Sequence, residues 1–103
     1  MFMDAKTLSA LAEPSRIRII ELLREQPRSV SEVSLKLGLN QPQASKHLKV
    51  LAGADLVKVS PVAQQRIYSL NPEPFIRLED WVNSFGRFWN QRLDNLDIYL
   101  KKG

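Results

Sequence analysis

The segment 29–51 constrains the fold more than any other part of the chain, because it carries two complete sets of helix-start signals. Ser29 stands three residues before Glu32, and Asn40 stands three residues before Gln43. Each pair has the spacing of a capping box, in which two side chains satisfy the free N–H groups at the start of a helix. Only a glycine and a leucine separate the first predicted helix from Asn40. The segment therefore predicts two short helices joined by a tight turn, which is a helix-turn-helix.

The second helix of this pair has one apolar face and one polar face. Ala44, Leu48 and Leu51 recur at helical spacing and form the apolar face. The other side carries amide, hydroxyl and amine groups, which is typical of a helix that enters the major groove of DNA. The residues that we expect to contact DNA from this helix and its cap are Asn40, Gln41, Pro42, Gln43, Ser45, Lys46 and Lys49.

Three more residues of the segment are candidates for DNA contact. Ser29 and Ser31 lie at the start of the preceding helix, where N–H and hydroxyl groups favour phosphate binding. His47 lies between the apolar and the groove-facing sides of its helix, so a packing role and a DNA contact are both open. His47 is the only histidine of the chain, and it therefore has no second imidazole with which to hold a metal.

The positive charge of the chain is concentrated around this segment. The formal net charge is +4, and residues 1–25 and 71–103 each contain equal numbers of basic and acidic side chains. The whole excess therefore falls within residues 26–70, where it can attract DNA phosphates. The bland reading is a chance cluster of solvated lysines, but the excess coincides with the predicted helix pair.

The rest of the chain predicts further helices and one β-hairpin. Apolar periodicity predicts helices over 2–12 and 14–25 before the central segment, with Ile17 in the buried stripe of the second. After it, the β-branched runs 56–60 and 66–70 flank a five-residue connection and predict a hairpin, the wing. A last helix is expected over 73–100. The fold class is mainly α with a small β-hairpin, a winged helix-turn-helix of order α-α-α-α-β-β-α, and 1–103 is expected to form one domain.

Several stretches resemble the arsenic-repressor (ArsR) family of small bacterial transcriptional regulators. They are 11–23, 40–51 and the wing residues 56–57 with 68–70, and 88–93 is similar to a metal-independent subgroup of that family. The resemblance implies a homodimeric, sequence-specific repressor whose partner is double-stranded DNA at a palindromic operator. It also implies that the recognition helix 41–51 and the wing 56–70 make the contacts.

The wing departs from the pattern of the family it resembles. Relatives often carry a glycine and successive arginines there, whereas this chain has Ala63, Gln64 and Gln65 and keeps only Arg66. Arg66 is the first wing candidate for DNA contact. Gln64 and Gln65 are weaker candidates than Arg66, because amides can donate to DNA but add no positive charge. Tyr68 is expected in the core.

The aromatic residues indicate a dimer. The predicted last helix holds six of the eight aromatic side chains, which is more than a domain of this size can bury together with its aliphatic stripe. We expect residues 2–12 and 73–100 to pair with a second copy around a twofold axis. The expected interface residues are Phe2, Leu8, Leu11, Trp81, Phe85, Phe88, Trp89, Leu93 and Leu96.

Other functions find little support in the composition. The chain has no cysteine, and Asp94 and Asp97 have no histidine beside them, so we expect no metal and no cofactor. It shows no pattern of an enzyme active site. No apolar run is long enough for a membrane span, and we expect a cytoplasmic protein without membrane contact. The alternative function is a winged-helix protein-interaction module without DNA binding. The sequence identifies neither a small-molecule effector nor the operator.

Overall fold

The computed structural model describes residues 3–86 and confirms a mainly helical fold with a small sheet. The sheet is antiparallel with strand order β1-β3-β2. In chain order the elements are α1 (Ala5–Leu11), α2 (Pro14–Glu25), β1 (Arg28–Ser29), α3 (Val30–Leu37), α4 (Gln41–Gly53), β2 (Val57–Val62), β3 (Gln65–Leu70) and α5 (Pro72–Ser84).

Both predicted capping boxes are present. The Ser29 hydroxyl accepts a hydrogen bond from the Glu32 N–H, and the Glu32 carboxylate accepts one from the Ser29 N–H. Asn40 and Gln43 exchange the equivalent pair at the start of α4. Gly38 ends α3 with a φ of 67°, a left-handed conformation that favours glycine. The prediction of two helices joined by a tight turn is confirmed.

The core lies between α2, α3, α4 and the sheet. Ala44, Leu48 and Leu51 are fully buried, so the predicted apolar face of α4 is confirmed, and Tyr68 is buried as expected. The prediction for α2 was wrong at Ile17, which is 44% exposed. Ile19 is fully buried in the core instead. Residues that are two positions apart in an α-helix point to nearly opposite sides, so Ile17 and Ile19 cannot both face the core.

The sheet differs from its prediction in two places. The two-residue strand β1 was missed, because so short a strand has no periodic pattern. It pairs with β3, with Arg28 opposite Tyr68. The predicted five-residue connection of the hairpin is also wrong, because Pro61, Val62 and Gln65 are strand residues. Proline is tolerated there because β2 is an edge strand.

The terminal helices are shorter than predicted. In place of 2–12, α1 begins at Ala5, after Asp4 caps it by accepting from the Lys6 N–H. The prediction of one helix over 73–100 is wrong at Phe85, because α5 ends at Ser84. The Ser84 hydroxyl donates to the Trp81 carbonyl, and a residue that bonds its own backbone in this way weakens a helix. The part of the prediction from 87 onward lies outside the described residues.

Candidate nucleic-acid interface

The solvent-facing side of α4 forms a polar surface. Pro42, Lys46 and Lys49 are exposed on one side of the helix, and Ser45 is half-buried beside them. These residues, together with Val50, line an open depression of about 510 Å³. The opposite side of the same helix is in the core. The helix therefore presents amine and hydroxyl donors to solvent from a fixed position.

The charges on this surface are available to a ligand. Within residues 3–86, neither Lys46 nor Lys49 takes part in an ion pair. The cap residues Asn40 and Gln43 are exposed as well, although each already uses its side-chain oxygen in the capping box. Their amide N–H₂ groups remain as donors. The α4 surface therefore offers donors to anions and to acceptor atoms of bases.

A side-chain hydrogen bond joins the starts of α3 and α4. The Gln41 Nε2 donates to the Ser31 Oγ at 3.0 Å, and both residues are exposed. The contact fixes the Gln41 amide while leaving its Oε1 and its second N–H unused. Two of the predicted site residues are thus brought together from separate helices.

Ser29 caps α3 as predicted, but its burial does not fit the DNA contact that was also predicted for it. It is only 4% exposed, and its hydroxyl and its N–H are both used in the capping box of α3. The Ser29 N–H bond to the Glu32 carboxylate, with the Ser29 hydroxyl and the Arg28 and Lys36 charges, lowers the pKa of Glu32 below its usual value against the opposing effect of desolvation. Neither the hydroxyl nor the N–H of Ser29 is therefore available to DNA.

His47 lies in a small polar cluster at the corner between α1 and α2. Its Nδ1 is 3.4 Å from the Arg16 Nη1 and 3.7 Å from the Glu13 Oε2, and its side chain is 20% exposed. The Arg16 Nε also donates to the Ala10 carbonyl at 2.6 Å. The imidazole is therefore turned towards the protein on its Nδ1 side.

Glu13 in this cluster caps α2. Its carboxylate accepts from the Arg16 N–H at 2.9 Å. Desolvation alone would raise the pKa of Glu13, but the N–H groups of Arg16 and Ser15, with the His47 and Arg16 charges, lower it below its usual value. Sequence reasoning missed both Glu13 and Arg16. Their three-residue spacing was the available signal, since it is the spacing of a helix cap.

Arg28 does not belong to the basic surface, although it counts in the charge excess. Its side chain is 8% exposed, and its Nη2 is 3.0 Å from the Glu25 carboxylate. A second carboxylate, that of Glu32, lies 4.0 Å from its Nη1. Two acidic neighbours neutralise this guanidinium, so the positive charge around α4 comes from other side chains.

The wing carries the remaining candidates at its tip. A two-residue turn, Ala63 and Gln64, joins β2 to β3, and Gln64, Gln65 and Arg66 are all exposed. Ala63 has a φ of 56°, a left-handed conformation that costs an alanine about 1 kcal/mol relative to glycine. The tip of the wing, residues 63–66, therefore presents one positive charge, that of Arg66 in β3, beside a turn with unfavourable backbone geometry.

Apolar side chains are exposed on α1 and, separately, along α5 and at its end. On α1 the buried residues are Thr7 and Ala10, while Leu8 is 36% exposed and Leu11 is half-buried. At the end of α5, the ring of Trp81 and the ring of the C-cap residue Phe85 stack edge to face with centroids 5.3 Å apart, and Phe85 is 40% exposed. The other predicted interface residues, Phe2, Phe88, Trp89, Leu93 and Leu96, lie outside the described residues.

A separate groove of about 570 Å³ lies between α2 and the start of α5. Its apolar lining includes Ile20, Leu70 and Phe75, and its polar lining is Glu21, Arg24 and Glu79. Residues 3–86 contain no group of three or more His, Asp or Glu side chains that could hold a metal. Over the same residues, no helix has the length and apolar character needed to cross a bilayer.

Comparison with known proteins identifies relatives of this structure. The sequence pattern of the bacterial regulatory proteins of the arsR family matches residues 13–59, which contain α2, α3 and α4. The HTH-type transcriptional regulator Rv2034 of Mycobacterium tuberculosis is 37% identical over 82% of this chain and 76% of its own length. The HTH-type transcriptional repressor SmtB of the same species is 41% identical over 61% of this chain. The matched region covers about half (47%) of the length of SmtB.

The fold also matches a solved structure. The homodimeric winged helix-turn-helix DNA-binding domain of Mb0332 from Mycobacterium bovis superposes with a TM-score of 0.68 and 28% identity. The match covers 81% of this chain and 77% of that one. The predicted winged helix-turn-helix is thereby confirmed.

Proposed function

Because the chain belongs to the arsR family of bacterial regulatory proteins and is a transcriptional regulator with a winged helix-turn-helix DNA-binding domain, we propose that it represses transcription as a homodimer on a palindromic operator. In this proposal the exposed face of the recognition helix, residues 41–51 of α4, reads bases in the major groove. Ser31 and the wing residues Gln64, Gln65 and Arg66 contact the DNA around it.

The exposed polar face of α4 is the observation that carries this proposal. Ala44, Leu48 and Leu51 fix the helix to the core, so the opposite face must point to solvent. That face presents Lys46 and Lys49, and lysine can bond either a phosphate or the O6 and N7 acceptors of guanine. A rigid helix with donors on its outer face suits the width of the major groove.

The homodimer is supported by the exposed apolar side chains of α1 and of α5 with its C-cap Phe85. Exposed apolar side chains such as Leu8, Phe85 and Ile76 are unfavourable in water, and a second copy would cover them. The related Mycobacterium bovis domain is homodimeric. A twofold pair would present two α4 helices to half-sites about one DNA turn, roughly 34 Å, apart.

Repression is a separate point from DNA binding. It is supported by the resemblance of the chain to a repressor family and by its similarity to the SmtB repressor. A dimer bound across a promoter would block RNA polymerase by occupying its site. A reporter gene under the selected operator should therefore be silenced when the protein is expressed, and increased reporter output would contradict this part.

The test of DNA binding is a selection from a randomised duplex library, followed by fluorescence titration of the enriched duplex. We expect a palindromic sequence and an affinity that falls steeply with salt, because phosphate contacts release counterions. Lys46→Glu should abolish binding without changing the sedimentation of the dimer. Lys36→Glu is the matched control, because it makes the same charge change on an exposed residue outside the candidate contacts.

The second candidate is a protein-interaction module that has lost DNA binding. The wing favours it, because Arg66 is the one basic side chain among its four tip residues 63–66. The same selection separates the two candidates. Failure to enrich any duplex, together with recovery of a protein partner whose binding does not depend on salt, would favour the interaction module.

A further inference from the structure

We propose that His47 is a positioning residue that anchors the recognition helix to the corner between α1 and α2, and that it does not read a base. The inference rests on the proposed function, since its effect is measured as operator affinity. It reassigns a residue of the reading helix from DNA contact to the support of its neighbours.

The first step is the direction of the hydrogen bond at Nδ1. A guanidinium has only donors, so in the 3.4 Å contact the Arg16 Nη1 donates and the His47 Nδ1 accepts. The proton of a neutral imidazole must then be on Nε2. If His47 is protonated instead, Nδ1 can no longer accept from Arg16, and the imidazolium forms an ion pair with the Glu13 carboxylate at 3.7 Å. Either form of the ring is held at the same corner.

The second step is that the corner itself is fixed. The Arg16 Nε donates to the Ala10 carbonyl near the end of α1, and the Arg16 backbone N–H donates to Glu13. The first bond ties α1 to the start of α2, and the second is the cap of α2 itself. His47 therefore bonds to a guanidinium that is already oriented, so little further ordering is needed.

The third step is what the anchor adds to the apolar contacts. Burial of Leu48 and Leu51 is favourable but non-directional, so it tolerates small rotations of α4 about its axis. A hydrogen bond weakens steeply when its angle changes. His47 lies next to Lys46 in the chain, and a rotation that broke the Nδ1 contact would turn Lys46 and Lys49 away from their positions on the exposed face.

The test compares two substitutions that retain different atoms of the imidazole. Asparagine has a polar atom where Nδ1 lies, and glutamine has one where Nε2 lies. His47→Asn should bind the selected operator within about threefold of the original chain. His47→Gln should bind about tenfold more weakly, which corresponds to roughly 1.4 kcal/mol, the scale of one hydrogen bond to a charged group. The salt dependence should be unchanged in both, because neither loses a phosphate contact.

The reverse order, with glutamine retaining affinity and asparagine losing it, would overturn the inference and indicate a contact through Nε2. Equal affinities of the two variants would overturn it as well. Arg16→Lys changes the other partner of the contact, because it keeps the positive charge but removes the forked N–H donors of the guanidinium. In that background His47→Gln should weaken binding less than twofold, and an undiminished tenfold loss would contradict the anchor. Failure of the original chain to bind any duplex would instead count against the proposed function.

Discussion

The recognition helix and the wing are both exposed, yet they are held in very different ways. α4 has a capping box at its start, a fully buried apolar face and a polar anchor at His47. The wing is a hairpin whose strand β2 is exposed along all but its first residue, and its turn requires a left-handed alanine. Two neighbouring elements that are proposed to contact DNA therefore need not contribute equally. Here rigidity and charge favour the helix.

The largest expected difference between the two regions is in folding. Leu48→Ala removes a fully buried side chain beneath the reading face and should lower the free energy of unfolding by about 3 kcal/mol. Val59→Ala on the wing, where the side chain is 46% exposed, should change it by less than about 0.5 kcal/mol. Urea unfolding followed by circular dichroism measures both. Similar losses would mean that the wing is part of the cooperative core.

The next difference concerns DNA affinity. Lys46→Ala should weaken operator binding about tenfold and make the salt dependence shallower by about one unit. Arg66→Ala removes one charge as well, but we expect only about a threefold loss. Part of the binding free energy that Arg66 contributes is offset by the entropy lost when its exposed side chain becomes ordered on DNA. Titrations at several salt concentrations give both quantities, and a larger loss for Arg66→Ala would reverse the ranking.

The same contrast decides what could be predicted from the sequence. The helix pair was predicted because its signals are local: the caps at Ser29 and Asn40 act within four residues, and the apolar face of α4 repeats at helical spacing. The turn of the wing was not, because no glycine or asparagine marks the left-handed residue at position 63. A chain that uses alanine there gives no sequence signal of its turn.

Side-chain environments were harder to predict than elements. The burial of Ser29 depends on β1, a two-residue strand that exists only because β3 lies beside it. The partners of His47 come from a corner more than thirty residues earlier in the chain. Helical periodicity gives the direction of a side chain from its own helix, but not what lies in that direction. The prediction that Ile17 is buried was wrong for the same reason. Two faces of α2 are apolar, and the sequence does not show which of them meets the core.

A third difference tests the strain in the wing. Ala63→Gly should raise the free energy of unfolding by up to about 1 kcal/mol, because glycine adopts a positive φ without steric cost. Gln64→Gly is the matched control, as it adds the same flexibility next to Ala63 and should be neutral or destabilising. Thermal unfolding of the three chains compares them. If Ala63→Gly is also destabilising, the turn is not strained and the contrast with α4 is weaker.

The smallest expected effect is on the pH dependence of the unfolding free energy, to which the capping box of the helix pair contributes. The pKa of Glu32 is lowered in the folded protein below the ordinary 4.5, mainly by the Ser29 N–H in the capping box of α3. A lowered folded-state pKa means that the stabilisation is complete above the ordinary value and is lost as the pH falls through the lowered one. Glu32→Gln keeps the capping geometry but removes the titration, so its unfolding free energy should depend less on pH below about 4.5.

The pH comparison needs a control, because Glu13 has a lowered pKa of similar origin at the start of α2. Glu79→Gln removes an exposed carboxylate of α5 that makes no capping contact. This variant should show the same acid limb, the loss of unfolding free energy as the pH falls, as the original chain. The double variant Glu13→Gln, Glu32→Gln should flatten that limb more than either single change. If the original chain and Glu32→Gln lose stability in parallel between pH 5 and 3, acid sensitivity arises elsewhere in the protein, and the capping boxes do not distinguish the helix pair from the wing.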